Sequence, residues 1–235
     1  MVARGLAPDL VTARALIMAG RVKHGSTVIN QPGTTIPADT QLTVTPAPRY
    51  VSRGAEKLES VAKRLALNFV GAIVLDAGAS TGGFTDFCLQ HGATKVYAVD
   101  VGTAQLAHQL RHDPRVIVME RTDIRDLTPG QLNPRPTMAV VDVSFISLTK
   151  ILPTVARLVG QGGLIVAMAK PQFEADKPTA DRHRGIIRDE PLRQRILQLL
   201  QTEIKKSFTI VASADSTIPG ARGNRERFYV LKLHT

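Results

Sequence analysis

The 235-residue sequence predicts an α/β protein, a doubly wound and mostly parallel seven-stranded sheet preceded by a small α+β unit. Three observations carry this expectation. From about Tyr50 onward, short apolar runs alternate with helical segments, the pattern that lays parallel strands beneath crossover helices. The last two apolar runs are joined by a loop holding Pro219, Gly220 and Gly223 with no helix between them, which makes them antiparallel neighbours. Ahead of all this, Pro46-Ala-Pro-Arg49 interrupts any regular element, because proline lacks the backbone donor that helices and central strands use. The expected division is a small unit over residues 1–45, a linker over 46–51 and a main domain over 52–235.

Taken in order, Leu10 to Ala19 is helical in pattern, with Leu10, Ala13, Leu16 and Ile17 on one face, and Gly20 stops it. Val22, Val28 and Leu42 to Val44 read as short strands. Ala55 to Leu67 is a helix with Leu58, Val61 and Leu65 inward. The seven strands of the main sheet are expected at Ala72–Asp76, Lys95–Asp100, Val116–Met119, Met138–Val143, Leu164–Ala169, Phe208–Ala212 and Arg227–Leu233. Helices are expected at Gly82–Gln90, Ala104–Arg111 and Pro191–Lys205, the last with Leu192, Ile196, Leu199, Leu200 and Ile204 on its apolar face. No repeat or low-complexity segment interrupts this order.

Composition narrows the function classes. Hydrophobic residues form 43% of the chain and charged residues 21%, as in an ordinary packed domain. No apolar run approaches the roughly 20 residues that span a bilayer. Met1 to Asp9 lacks the basic-then-apolar order of a secretory leader, so a cytoplasmic location and no membrane partner are expected. The single cysteine, Cys88, excludes an internal disulfide and a cysteine-rich zinc site, and the six histidines show no metal-binding spacing. His108 and His112 lie four apart and read as surface residues. The formal charge of +10 favours a polyanionic partner, since basic side chains release the counterions condensed on phosphate.

The first main strand runs into Asp76-Ala-Gly78-Ala-Ser80-Thr-Gly82-Gly83-Phe84, a loop whose glycines let the backbone turn sharply and approach a ligand. Asp100 ends the second strand, where a carboxylate can hold both hydroxyls of an adenosine ribose. Asp123 follows the third strand and is placed to accept from an adenine amino group. A Walker loop would need Gly-Lys-Ser/Thr, which is absent, and a dinucleotide site would need glycine where Ser80 stands. S-adenosylmethionine carries an ammonium and a sulfonium and no phosphate, so its site should hold acids, as Asp76, Asp100 and Asp123 provide. Gly78-Ala-Ser80-Thr-Gly82 also matches the nucleophile elbow of α/β hydrolases, with Asp142 and His183 as partners, but no His-Gly-Gly oxyanion segment precedes it. A parallel sheet with one antiparallel strand near its edge is the shape expected of class I, Rossmann-like methyltransferases.

The fourth strand ends in Val141-Asp142-Val-Ser144-Phe-Ile-Ser147-Leu148 and the fifth in Met168-Ala-Lys170-Pro-Gln172-Phe-Glu174. The carboxyl ends of adjacent strands share one crevice in an open α/β sheet, so Asp142 and Lys170 should meet, as a structural ion pair or as reacting groups. Together with Ser52-Arg53-Gly-Ala-Glu-Lys57-Leu58, the glycine loop and Gly223-Asn-Arg-Glu226, these segments resemble the TlyA family, ribosomal RNA 2′-O-methyltransferases also called haemolysins, with an FtsJ-like catalytic domain. The resemblance covers nearly the whole chain. It implies a Lys-Asp-Lys-Glu tetrad at Lys57, Asp142, Lys170 and Glu226, S-adenosylmethionine as cofactor, and ribosomal RNA or a ribosomal subunit as partner. Lys170 would orient the 2′-hydroxyl or remove its proton. As a base it would have to be neutral, which Lys57 and burial favour and Asp142 and Glu226 oppose. Amine methylation usually uses Asn/Asp-Pro-Pro-Tyr/Phe where Asp142-Val-Ser-Phe145 stands, and cytosine C5 methylation needs a cysteine nucleophile, whereas Cys88 lies mid-helix.

Arg4 to Val22 resembles the alpha-L RNA-binding motif of ribosomal protein S-four, entered partway along its first helix and with Lys23-His24-Gly25 one residue shorter than the usual turn. That resemblance turns Arg14 and Arg21 toward phosphate. Further RNA contacts are expected from Arg53, from Arg182, Arg184 and Arg188 in the loop after Lys170, and from Arg222, Arg225 and Arg227 around Glu226. Two other function classes stay open, a membrane-lytic protein using the amphipathic 191–205 helix, and a ribosome-binding factor with an inactive methyltransferase fold.

Overall fold

In the computed structural model, which describes residues 1–234, the chain divides into two units, Met1–Arg49 and Tyr50 onward. The first unit holds one α-helix, α1 (Leu10–Met18), a short 3-10 turn at Val2–Arg4, and three short strands, β1 (Val22–His24), β2 (Thr27–Ile29) and β3 (Thr43–Val44). Asp9 caps α1 by accepting from the Thr12 amide at 2.7 Å, satisfying one of the donors a helix start leaves open. The strands form an antiparallel sheet in the order β2-β1-β3, with Val22 opposite both Ile29 and Val44. Ala13 is the buried residue of α1. Leu10, expected inward, is exposed, because it opens the helix and a unit of this size has little chain left to cover it.

The second unit begins with α2 (Arg53–Ala62) and continues as β4 (Ile73–Ala77), α3 (Gly83–Gln90), β5 (Lys95–Val99), α4 (His108–Arg111), β6 (Val116–Met119) and β7 (Met138–Val141). Then come α5 (Leu152–Val159), β8 (Leu164–Ala169), α6 (Pro171–Glu174), α7 (Lys177–Arg182), α8 (Glu190–Ile204), β9 (Phe208–Asp215) and β10 (Arg227–Leu233). The sheet order is β6-β5-β4-β7-β8-β10-β9. Strands β4 to β8 are mutually parallel, and β10 runs antiparallel to both neighbours. The doubly wound sheet with one antiparallel strand is therefore present as read from the sequence.

Strand alternation divides the core in two. Val74, Val96, Val140, Val166 and Phe228 face Leu58 and Val61 of α2 and Phe84, Phe87 and Cys88 of α3. Leu75, Tyr97, Val141, Ile165 and Tyr229 face Leu152, Val155 and Leu158 of α5 and Leu197, Leu200 and Ile204 of α8. Period-two alternation of near-continuous apolar strands is what burial on both faces demands.

Three helices differ from expectation. The helix expected over Ala55–Leu67 ends at Ala62, and the chain turns through Ala66 at a left-handed φ of 51°. The 104–111 segment is helical only over its last turn, because Ala104 takes a left-handed φ of 54° and the Gln105 amide donates to Glu120 instead. On α8 the buried stripe is Arg193, Ile196, Leu197, Leu200 and Ile204, while Leu199 faces solvent and Leu192 is half-buried. Arg193 takes the inward place because acids wait for it there. It donates to Glu190 at 2.9 Å, to Asp215 at 2.6 Å and to the Arg225 carbonyl at 2.9 Å. The strand order reverses between β4 and β7, and the site lies at the carboxyl ends of that pair.

Candidate active site

The glycine loop leaves β4 at Ala77 and enters α3 at Gly83. Gly78 has φ +89°, and a Cβ there would lie 2.6 Å from the Asp142 carbonyl, so glycine is what lets the loop pass the end of β7. At Gly82, also left-handed, a Cβ would run into Leu106 and Leu110, and at Gly83 it would lie 2.9 Å from the Ala55 amide. These two serve the packing of the loop and of α2 on α3. Ser80 carries φ +48°, an uncommon conformation for serine, and its amide donates to Asp100 at 2.8 Å.

A cavity of about 490 Å³ opens beside this loop, of the size that takes a nucleoside-like ligand. Gly78, Ser80, Asp100, Asp123 and Asp142 line it together with apolar Val99, Val101, Ile124, Val143 and Ile146. Asp100 is braced through both oxygens, by Ser80 and by the Gly102 amide at 2.7 Å, leaving its other lone pairs for a ligand. Asp123 accepts a fork from Arg125, with contacts of 2.6 to 3.1 Å, and the guanidinium holds its carboxyl below the ordinary range. Gln105 and Thr122 also stand on the wall, and Gln105 accepts from the Ser80 hydroxyl at 3.1 Å. Sequence reasoning passed over both, since neither ends a strand. Asp76 is not on this wall. It is wholly buried within β4, accepts from the Thr85 hydroxyl at 2.6 Å, and leaves Oδ1 without a partner among the described residues. Burial pushes its carboxyl up to about 7, so it stays largely protonated below neutral pH.

A second cavity of about 470 Å³ shares Gly78, Ser80 and Asp142 with the first and adds Ser52, Arg53, Gly54, Lys57, Gly83 and Phe84. Arg53, expected among the RNA contacts, thus stands beside the glycine loop and donates to the Pro219 carbonyl at 2.9 Å.

Lys57, Asp142, Lys170 and Glu226 form two ion pairs. Lys170 Nζ lies 2.5 Å from Asp142 Oδ1 and donates to the Ser144 hydroxyl at 2.8 Å. Lys57 Nζ reaches both oxygens of Glu226, at 3.0 and 2.8 Å. Glu226 is 2% exposed, and desolvation raises its carboxyl above the ordinary range despite the opposing pull of Lys57. All but Asp142 share the wall of a third cavity, of about 620 Å³, and Asp142 lines the first two. Phe145 stands between, lining the first and third, 89% exposed at a left-handed φ of 64° with its ring 4.9 Å from that of Phe173.

Residues 50–233 match the model of the FtsJ-like methyltransferase family. The chain belongs to that family. It is similar along its whole length, at 41% identity and over 88% of the relative, to the 16S/23S rRNA (cytidine-2′-O)-methyltransferase TlyA of Mycobacterium tuberculosis. Hemolysin A of Brachyspira hyodysenteriae is 40% identical over 91% of this chain and 90% of its own length. Among solved structures, a hemolysin-type protein from Lactococcus lactis superposes with a TM-score of 0.74 at 42% identity, over 78% of this chain and 88% of the other. The N-methyltransferase NodS of Bradyrhizobium japonicum shares only the fold, with a TM-score of 0.52 at 14% identity over 77% of this chain and 95% of its own.

Within the FtsJ-like domain the arginines expected to meet RNA are dispersed. Arg182 faces a groove beside α8, Arg184 the tetrad cavity, and Arg188 a surface shared with Arg193 and Arg225. Arg225 and Arg227 are committed to Glu190 and Asp215 in ion pairs of 3.0 and 2.6 Å, which leaves Arg222 as the member of that trio open to a ligand. In the first unit Arg14 is exposed, while Arg21 donates to the Thr45 carbonyl at 2.8 Å. Among the described residues no helix is long and apolar enough to cross a membrane, and the apolar stripe of α8 is spent on the core.

Proposed function

We propose that this FtsJ-like enzyme transfers the methyl group of S-adenosylmethionine to a ribose 2′-hydroxyl of ribosomal RNA. The observation that carries the proposal is the convergence of the Lys170–Asp142 and Lys57–Glu226 pairs where the glycine-loop cavities meet the tetrad cavity. Its relationship to the M. tuberculosis enzyme supplies the RNA class.

The cofactor fits the donor set. Asp100 would hold the ribose hydroxyls, Val99, Ile124 and Val143 the adenine faces, and Arg53 the carboxylate of the amino-acid end. The acids lining the cavity suit a sulfonium, and its one cation, Arg125, is already paired to Asp123. When bound, S-adenosylmethionine supplies an activated methyl group, so the residues mainly orient the acceptor.

Lys170 donates one of its three N–H groups to the Ser144 hydroxyl and lies against the Asp142 carboxylate as an ion pair. A further N–H is available to hold the 2′-oxygen with a lone pair toward the cofactor cavity. The Asp142 carboxylate 2.5 Å away fixes where the amine sits, so we assign Lys170 to orientation and Asp142 to holding it, the hydroxyl proton leaving to water as the oxygen takes the methyl group from sulfur. Phe145 offers its open face to the base of the acceptor nucleotide, and stacking on it needs no particular base. The test is transfer of labelled methyl to separated small and large ribosomal subunits, mapped by resistance to alkaline hydrolysis. Protection of a defined linkage is expected. Label on bases, or none on either subunit while cofactor still binds, overturns the assignment.

A further inference from the structure

The tetrad cavity contains more positive charge than the tetrad uses. Arg184 enters it from the loop after α7, and Arg222 from the β9–β10 loop. Neither has an ion-pair partner among the described residues, whereas Arg193, Arg225 and Arg227 nearby are all committed to acids. Asp181 lines the same cavity, and Lys57 and Lys170 there are already neutralised by Glu226 and Asp142. The surplus is thus the two guanidinium groups less one exposed carboxylate.

The loops that carry the two arginines are tied to a single residue. Asn224 is 3% exposed; its side chain accepts from the Ile187 amide at 2.8 Å and donates to the Gly185 carbonyl at 2.9 Å. Its own carbonyl accepts from the Gly220 amide at 2.8 Å. The side chain therefore fixes the loop of Arg184 and the backbone fixes the turn of Arg222. Arg184 itself sits at a left-handed φ of 50°, followed by Gly185 at 71°. A non-glycine residue keeps that strained conformation only where its surroundings impose it. A loop backbone fixed in advance loses less freedom when its side chains meet a ligand.

We propose that Arg184 and Arg222 form a phosphate subsite for the phosphodiester 3′ to the methylated ribose, with Asn224 as the positioning residue of both. This rests on the 2′-O-ribose assignment. The 3′-oxygen is bonded to the carbon next to the one bearing the 2′-hydroxyl, so a ribose presented to Lys170 brings its 3′-phosphate into the same cavity. The guanidinium fork matches two phosphate oxygens at once.

Full-length wild type, Arg184→Ala, Arg222→Ala and, as an equal change of charge elsewhere, Lys232→Ala would be compared for methyl transfer to ribosomal subunits across a salt series. The two cavity variants are expected to raise the half-saturating subunit concentration about tenfold. Each should flatten the log–log salt dependence by about one, with cofactor affinity unchanged. Behaviour like that of Lys232→Ala overturns the subsite. A second measurement needs no transfer: cytidine 3′-monophosphate is titrated against the Nε–H resonances of the two arginines, with cytidine as reference. Movement with the nucleotide alone supports the subsite, and no movement overturns it. If the resonances move but wild type methylates neither subunit, the acceptor assignment fails while the phosphate site stands.

Discussion

Lys170 donates to Ser144 and is held against Asp142 as an ion pair, which leaves an N–H for an acceptor oxygen. Lys170→Ala is accordingly expected to lower single-turnover methyl transfer by roughly 10²–10⁴ while calorimetry shows cofactor binding intact. Near-normal turnover would remove Lys170 from the chemistry. Asp76 supports a different prediction. The native state holds its proton up to about pH 7, whereas the unfolded chain releases it in the ordinary carboxylate range near 3.8, so this group costs stability as pH rises through that window. Asp76→Asn cannot ionise, and its melting temperature should fall less between pH 5 and pH 8 than that of wild type; equal falls would show that Asp76 is ionised in the fold. This residue also shows where reading by position stops. Asp76 and Asp100 look alike in sequence, each closing an apolar run before a turn. Asp100 follows the last residue of β5 and reaches the cavity, while Asp76 is still inside β4, where the pleat turns it into the protein. Lys57, Asp142, Lys170 and Glu226 were legible because the residue types and motif order survive in one dimension. The meeting of Asp142 and Lys170 was expected from adjacent strand ends, but the pairing of Lys57 with Glu226 was not, since they are 169 positions apart.

At the level of elements, α8 is anchored by charge. Arg193 joins Glu190, Asp215 and the Arg225 carbonyl, and Asp215 also takes Arg227, so the residues on both sides of Glu226 are tied to one network. Replacing Arg193 by alanine removes the buried guanidinium and leaves the Arg225 carbonyl without its donor, while Asp215 keeps Arg227, and should cost about 1–3 kcal/mol in chemical denaturation. A loss within 1 kcal/mol would mean that the network is solvated. The apolar period of α8 was visible, but its phase was set by a cation whose partner Asp215 lies 22 positions away, so Leu199 was turned inward in error. The short α4 has a similar cause, because Gln105 is drawn to Ser80 and Glu120 rather than to a helical turn. The β4–α3 loop leaves less freedom still. Alanine at Gly78 would meet the Asp142 carbonyl at 2.6 Å, a contact that backbone must yield to, so Gly78→Ala should weaken cofactor binding at least tenfold by calorimetry. Unchanged affinity would show that the loop can shift without moving the site.

For the whole molecule, the doubly wound sheet was legible because its strands are apolar runs separated mostly by helices, while the strand order was not, since right-handed crossovers admit several orders. The formal charge of +10 implies that binding to ribosomal RNA falls steeply with salt, by more than about tenfold between roughly 50 and 200 mM, which filter binding would measure. A flat response would assign recognition to uncharged contacts. The place of β10 has a consequence for how the protein is made. It is the last strand in the chain, yet it lies between β8 and β9. During synthesis, then, β8 keeps a bare edge, and β9 has no strand to join until residues 227–233 have emerged. Glu226 arrives with them, so Lys57 waits beside an unfinished wall. A nascent copy cannot bring these four side chains together before residues through Glu226 have left the ribosome.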